Sequence, residues 1–369
     1  MILGHGHPEV IEAVREQMAK GMTFFASNAR GIELAEVICA AVPCADQLRY
    51  VSTGGEADMY AMRLARAHTG RQKILKFEGG YHGMSAEALI SLYPERIENF
   101  PQGTADSAGV SECIRDNVLV APFNDADFAR QLIEEYHEEI AAVIVEPLQR
   151  LIPPEPGFLE TLREETLKHG IVLIFDEVVT GFRLAYGGAQ EKYSVVPDLC
   201  TLGKIIGGGF PLAAVVGKAE IMAHFDKAKV GKDGFTLQIG TLSGNPVAAA
   251  AGLKTLEIMH RTGSYDCVRR NGEAIMTMLR ESLDPLDVAY QIVGDPVLFD
   301  VVFTSTPVRN YRDVKGANAA LTARFNALLR QQGIFKSAGK IYPSLALTDQ
   351  DLSWTQDAIA HASAHLLEN

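Results

Sequence analysis

Two stretches of this chain place reactive side chains where a folded scaffold could use them. The first is Ile171-Val-Leu-Ile-Phe175-Asp176-Glu177, an apolar run that ends abruptly in acid. A carboxylate at the C-terminal end of a parallel strand stands where open α/β sheets bind their ligands. On position alone, Asp176 could be a metal ligand, a ribose ligand, a helix cap or a cofactor partner. The second is Thr201-Leu-Gly-Lys204-Ile-Ile-Gly207-Gly208-Gly209-Phe-Pro211, one lysine among small and apolar residues, followed by three glycines. An ammonium is costly to desolvate, so apolar surroundings favour the neutral amine, the form that attacks a carbonyl carbon. A surface lysine beside a glycine turn explains the same string equally well.

Together the two stretches narrow the choice. Enough chain separates Asp176 from Lys204 for one crossover, so neighbouring strand ends can present both to one ligand. An acid against a pyridinium nitrogen, with a lysine joined as a Schiff base, is the arrangement pyridoxal phosphate requires. The acid keeps the ring nitrogen protonated, and the ring then takes up charge as a substrate carbon loses its proton. The phosphate needs its own place. Val51-Ser52-Thr53-Gly54-Gly55-Glu56-Ala57 closes an apolar segment and opens a helix, and amides bared by glycine at a helix N-terminus bind anions. Gly240-Thr241-Leu-Ser243-Gly244-Asn245-Pro246 is a second loop of that kind, and Tyr81-His82-Gly83 offers an aromatic face for a planar ring. Alone, each reads as readily as a cap, a turn or a core tyrosine; only their combination points to one cofactor.

The elements that must position these residues alternate along the chain. Helix-period stretches such as Asp125–Glu138 and Gly157–His169 separate short apolar runs at Lys73–Phe77, Val118–Ala121, Ala141–Val145, Ile171–Phe175 and Ala213–Val216. That alternation predicts an α/β fold with a mostly parallel central sheet and helices on both faces. From Pro246 a long Ala-rich helix is expected, then a smaller α+β domain with strands near Val288–Val293 and Val297–Phe303. Helices over Ala317–Gln332 and Gln350–Leu367 close the chain. The expected division is 1–20 packing with the small domain, 21–257 as the large domain and 258–369 as the small one. A net charge of -12 argues against nucleic acid, whose phosphates need a basic surface. The five cysteines show no C-x-x-C pair, so neither a metal site nor a disulfide framework is indicated. No apolar run is long enough to span a bilayer and no secretory signal opens the chain, which makes the cytoplasm the default expectation.

With IFDEVVTGFR, DLCTLGKIIGGGFP, GTLSGNP and the YHG segment in order, the sequence resembles the class III aminotransferases, fold type I enzymes, and most nearly the branch containing glutamate-1-semialdehyde aminomutase. The resemblance runs from Gly4-His-Gly-His-Pro8 to the final helix. It implies pyridoxal 5'-phosphate as cofactor, with Lys204 as the Schiff-base lysine and proton shuttle and Asp176 paired to the ring nitrogen. Val178 would pack on one ring face and Tyr81, next to His82, on the other. Thr53, Gly54 and Gly55 fall where the family cradles the phosphate, and Glu146 matches an acid near the cofactor. Thr241 would reach the phosphate of a neighbouring subunit, which makes a homodimer part of the active site. Arg150 is a candidate anchor for a substrate carboxylate, or a loop arginine.

The implied activity is ping-pong transfer of an amino group from an amine or amino acid to a keto acid or aldehyde. The rivals are the intramolecular aminomutase reaction and a non-catalytic cofactor-binding relic. Departures from the family pattern bear on this choice. The family's Ser-Gly-Thr turn reads Thr53-Gly54-Gly55 here, with one hydroxyl fewer. The stretch Leu148-Gln149-Arg150-Leu-Ile-Pro-Pro is shorter than the aminomutase's glycine-rich segment, and Gly339–Leu347 also differs; both favour a transaminase. The chain starts late relative to the family, so part of the substrate pocket is expected to lie in a missing N-terminal segment.

Overall fold

The computed structural model describes residues 2–368. Short apolar runs bounded by glycine or polar residues become strands: β1 (Gln47–Val51), β2 (Lys73–Phe77), β3 (Val118–Ala121), β4 (Ile140–Val145), β5 (Val172–Asp176), β6 (Leu199–Leu202) and β7 (Ala213–Gly217). They form one sheet in the order β1-β7-β6-β5-β4-β2-β3. Strands β2 to β6 pair in parallel, while β7 is antiparallel to both its neighbours. The run Ala213–Val216, expected as a strand of a mostly parallel sheet, thus runs against its neighbours. The linker from β6 is the reason: a parallel return needs a crossover of about a dozen residues or more, and a tight glycine turn supplies less. Strands β1 and β6 escaped the sequence reading, β1 because Arg49 sits at its centre and β6 because it is only four residues long.

Every residue of β4 and β5 is buried, as strands covered on both faces must be. The helix Gly54–Thr69 lies along β1, β4, β5, β6 and β7. It turns Ala57, Ala61 and Ala65 to the sheet at every fourth position, with Met62 and Leu64 beside them. Side chains this small let the helix sit close, and its C-terminus stops at Gly70 in the left-handed region, φ +71°. The helix Phe158–His169 ends likewise at Gly170 and feeds β5 directly. Helix Pro246–Met259 is buried nearly all round. It packs against helices Pro8–Lys20 and Ala29–Ala41 and against the turn Lys204–Gly207.

The chain divides into two compact units, and their bounds differ from those read in the sequence. The larger comprises Pro8–Arg150 and Pro154–Met259. The smaller gathers His260–Asn369, Leu151–Pro153 and the stretch up to His7. The expected 1–20 segment thus splits: helix Pro8–Lys20 belongs to the large unit because it packs on Pro246–Met259. Within the small unit, β8 (Gln291–Asp295) and β9 (Leu298–Val302) form an antiparallel pair. Helices Ser264–Leu283, Ala319–Gln331 and Asp349–Ala364 share a core of Leu279, Phe299, Phe325, Leu329 and Ile359. Among the described residues, no helix is long and apolar enough to cross a membrane.

Candidate active site

The C-terminal ends of β4, β5 and β6 surround a cavity of about 300 Å3. Strand β5 delivers Asp176 and β6 leads through Gly203 to Lys204, so the two residues come from neighbouring parallel strand ends. Asp176 is 4% exposed. Its Oδ2 lies 2.9 Å from His82 Nδ1, and its Oδ1 accepts the Val178 N–H at 3.1 Å. A carboxylate only accepts, so in this pairing the proton rests on Nδ1. The next residue, Glu177, points the other way, as strand alternation dictates. Its oxygens accept from Thr180 Oγ1, the Ala189 N–H and Gln190 Nε2, and burial pushes its carboxyl above the usual range. Of the paired acids in IFDEVV, one serves the cavity and the other fastens the loop behind it.

Lys204 opens a tight turn with φ +48°, a left-handed conformation that costs an ordinary residue about 1–2 kcal/mol. The turn's own burial outweighs that strain: Ile205 and Ile206 are buried, each contributing about 1.5–3 kcal/mol. Gly208, at φ +58°, seats the turn on helix Pro246–Met259, where a Cβ would come 2.5 Å from the Ala251 backbone.

The phosphate-turn residues converge on the same cavity. Thr53 caps helix Gly54–Thr69, its Oγ1 accepting the Glu56 N–H at 3.2 Å while Glu56 Oε2 accepts the N–H groups of Ser52 and Thr53. This capping box occupies the threonine hydroxyl and leaves the Gly54 and Gly55 amides outside it, at the start of a 16-residue helix. Backbone N–H groups so placed at a helix N-terminus can bind an anion. Gly54 is packed against Val178, where a Cβ would meet Cγ1 at 2.8 Å. Opposite, Glu146 Oε2 accepts the Tyr81 N–H at 2.9 Å and so fixes the turn that carries the Tyr81 ring.

Thr53, Gly54, Gly55, Tyr81, Glu146, Asp176, Val178 and Lys204 all line this one cavity. His82 stands behind it, against Asp176. Thr241 is exposed and is not among the lining residues; Leu237, Ile239 and Leu242 near it are exposed as well. Arg150 also lies off the cavity wall. Its Nε donates to Gly79 O at 2.8 Å, and its other nitrogens reach the Tyr93 hydroxyl and Leu92 O. The guanidinium sits 4.1 Å from the Tyr93 ring centre and 5.4 Å from that of Tyr81. These partners make Arg150 a clamp on the 79–93 segment rather than an open carboxylate fork.

Two residues that the sequence reading passed over belong to this region. Asp58, one turn into the capped helix, lines the cavity at 2% exposure and accepts from Thr201 Oγ1 at 2.6 Å. Its signal was a single acid on an otherwise alanine-lined face. Lys76, in β2, is buried, with Nζ donating to Ala88 O at 2.9 Å and Ile90 O at 2.6 Å. Burial pulls its ammonium down to about 7.

The set suits pyridoxal phosphate: an amine on a strained turn, an anchored acid, an aromatic and an aliphatic face, and bare amides for the phosphate. The family model for aminotransferase class III matches residues 1–363. The chain belongs to the class III aminotransferase family. As a member of it, the chain is a pyridoxal-phosphate-dependent enzyme of fold type I. It is 44% identical over 338 residues to glutamate-1-semialdehyde 2,1-aminomutase from Methanothermobacter thermautotrophicus, covering 91% of this chain and 78% of the relative. Glutamate-1-semialdehyde 2,1-aminomutase 2 from Brevibacillus brevis is 41% identical over 364 residues, covering 97% and 83%. Among solved structures, an omega-transaminase from Sphaerobacter thermophilus superposes with a TM-score of 0.93 at 37% identity, covering 99% of this chain and 84% of that one.

Proposed function

We propose that this enzyme moves an amino group within one substrate molecule, as a glutamate-1-semialdehyde 2,1-aminomutase. Two curated relatives above 40% identity carry that name, and this support reverses the order drawn from the sequence, where transfer between two molecules came first. A catalytic role of some kind is carried by one observation: Asp176 and Lys204 face a common cavity from adjacent strand ends. The family likeness to working enzymes weighs against a non-catalytic relic.

The cofactor, when bound, supplies an aldehyde for capturing amines and a ring that takes up charge. Lys204 would hold it, then, displaced by substrate, use the freed amine to move a proton off the carbon bearing the amino group. Asp176, oriented by His82 and the Val178 N–H, would meet the ring N–H. Val178 and Tyr81 would flank the ring, and Glu146 would keep Tyr81 in place. The Gly54 and Gly55 amides, with Thr53 capping their helix, would take the phosphate. A second copy of the chain would bring its own Thr241 to that phosphate; the exposed apolar residues Leu237, Ile239 and Leu242 beside Thr241 support such a homodimer.

Transfer between two molecules is the second reading, supported by the 37% identity to an omega-transaminase and by the short stretch after Glu146. The deciding experiment gives the cofactor-loaded protein glutamate-1-semialdehyde with no keto acid or aldehyde acceptor. Stoichiometric isomerisation is expected; no product until an acceptor is added, followed by amination of that acceptor, would establish the transaminase instead.

A further inference from the structure

Three carboxyl groups, Asp58, Glu146 and Asp176, line one cavity with a single lysine, Lys204. Like charges crowded out of water do not all ionise, so the protons must be shared out. Burial and the donors around each group bear on how: Asp58 is the least exposed of the three, at 2% against 4% for Asp176 and 5% for Glu146. Asp176 receives His82 Nδ1 on one oxygen and the Val178 N–H on the other, and Glu146 receives the Tyr81 N–H. Asp58 receives one hydroxyl, from Thr201, on Oδ1. The strand register explains this neighbourhood, because Thr201 pairs with Asp176 across β5 and β6. Helix Gly54–Thr69 then lays Asp58 over that pair, 2% exposed.

We propose that Asp58 is a protonated carboxylic acid at neutral pH and acts as a neutral hydrogen-bond donor in the cavity beside Asp176. Thr201 engages only Oδ1, so it is a proton on Oδ2 that would serve the cavity as an O–H donor. Burial pushes the Asp58 carboxyl well above its ordinary range, and the charges of Asp176 and Glu146 push the same way; the Thr201 bond and Lys204 oppose them. The proton assignment concerns the chain by itself. The use of that O–H to hold a cofactor rests on reading the cavity as the pyridoxal-phosphate site.

Infrared difference spectroscopy on the full chain without cofactor tests the assignment. Asp58→Asn is expected to remove a carboxylic-acid carbonyl band at pH 7. The difference spectrum isolates Asp58 from Glu177 and Asp300, whose carboxyls burial also raises. Absence of any such band difference in a folded variant overturns the proposal. Titration with pyridoxal phosphate tests the use: Asp58→Leu should weaken binding about ten-fold, the worth of one hydrogen bond of about 1.4 kcal/mol, and Asp58→Asn, which keeps a donor, should recover most of it. Equal weakening by Asn and Leu would overturn the donor role. Failure of the unsubstituted chain to bind pyridoxal phosphate, with the infrared band present, would instead reject the reading of the cavity and leave the proton on Asp58.

Discussion

The strand ends that carry Asp176 and Lys204 and the segment from Glu78 to Asp106 that carries Tyr81 both reach the same cavity, but they are held there in different ways. At the strand ends, position follows from the ladder: once β5 and β6 pair, Asp176 and the turn at Lys204 have nowhere else to go. The 78–106 segment has little ladder of its own. Distant side chains pin it instead: Lys76 at the Ala88 and Ile90 carbonyls, Arg150 at Gly79, Leu92 and Tyr93, and Glu146 at the Tyr81 amide. Asp176 and Lys204 sit at paired strand ends, while the wall that carries Tyr81 is suspended from a few polar contacts, so damage should be all-or-none in the first region and graded in the second.

The largest expected effect lies on the strand side. Lys204→Ala removes both the covalent hold and the base, and turnover should fall by about 10^3-fold or more with little change in thermal stability. Near-normal turnover in a steady-state assay would refute the role given to Lys204.

The suspended segment should reveal itself through pH. The folded chain releases the Lys76 proton near 7, whereas the unfolded chain keeps it to about the ordinary 10.5. Between those values the unfolded state binds more protons, so stability should rise with pH across that window, at up to about 1.4 kcal/mol per unit for a fully shifted group. Denaturant melts of the protein and of Lys76→Met at pH 6, 8 and 9.5 check this. The variant should show a flatter profile, with its advantage over the parent largest at pH 6; parallel profiles would mean that Lys76 stays charged in the fold.

Arg150→Ala should have the smallest effect, about 1–2 kcal/mol of stability from lost hydrogen bonds and ring contacts. As a clamp, it should alter the KM for carboxylate-bearing and simple amines alike. A KM rise confined to carboxylate substrates would restore the anchor role and narrow the contrast between the two regions.

The same contrast explains what could be read in advance. Asp176, Lys204 and the turn Thr53–Gly55 could be singled out because each has a local signal (an apolar run ending in acid, a lysine before glycines, a cap before a helix), though only their combination pointed to one cavity. The direction of β7 was not, since it depends on the length of the linker after Lys204 rather than on any residue in the strand. Asp58 and Lys76 were passed over because each is one polar residue in an apolar pattern. Only the register of β5 with β6, or the path of the segment over β2, gives them partners. Arg150 could be posed as a choice from sequence, and its partners, far away in the chain, turn that choice toward the clamp.

One contact in the cavity wall also limits how this sequence can change. The Cα atoms of Gly55 and Gly83 face each other so closely that a Cβ on Gly83 would lie 2.3 Å from Gly55 Cα, and one on Gly55 would lie 3.0 Å from Gly83 Cα. A side chain at position 55, as in the family's Ser-Gly-Thr turn, would therefore need the turn that holds Tyr81 to give by a few tenths of an ångström. The two turns are thereby coupled: a substitution on either one is felt by the other, so the tolerance of position 55 to a side chain depends on how far the tyrosine turn can yield.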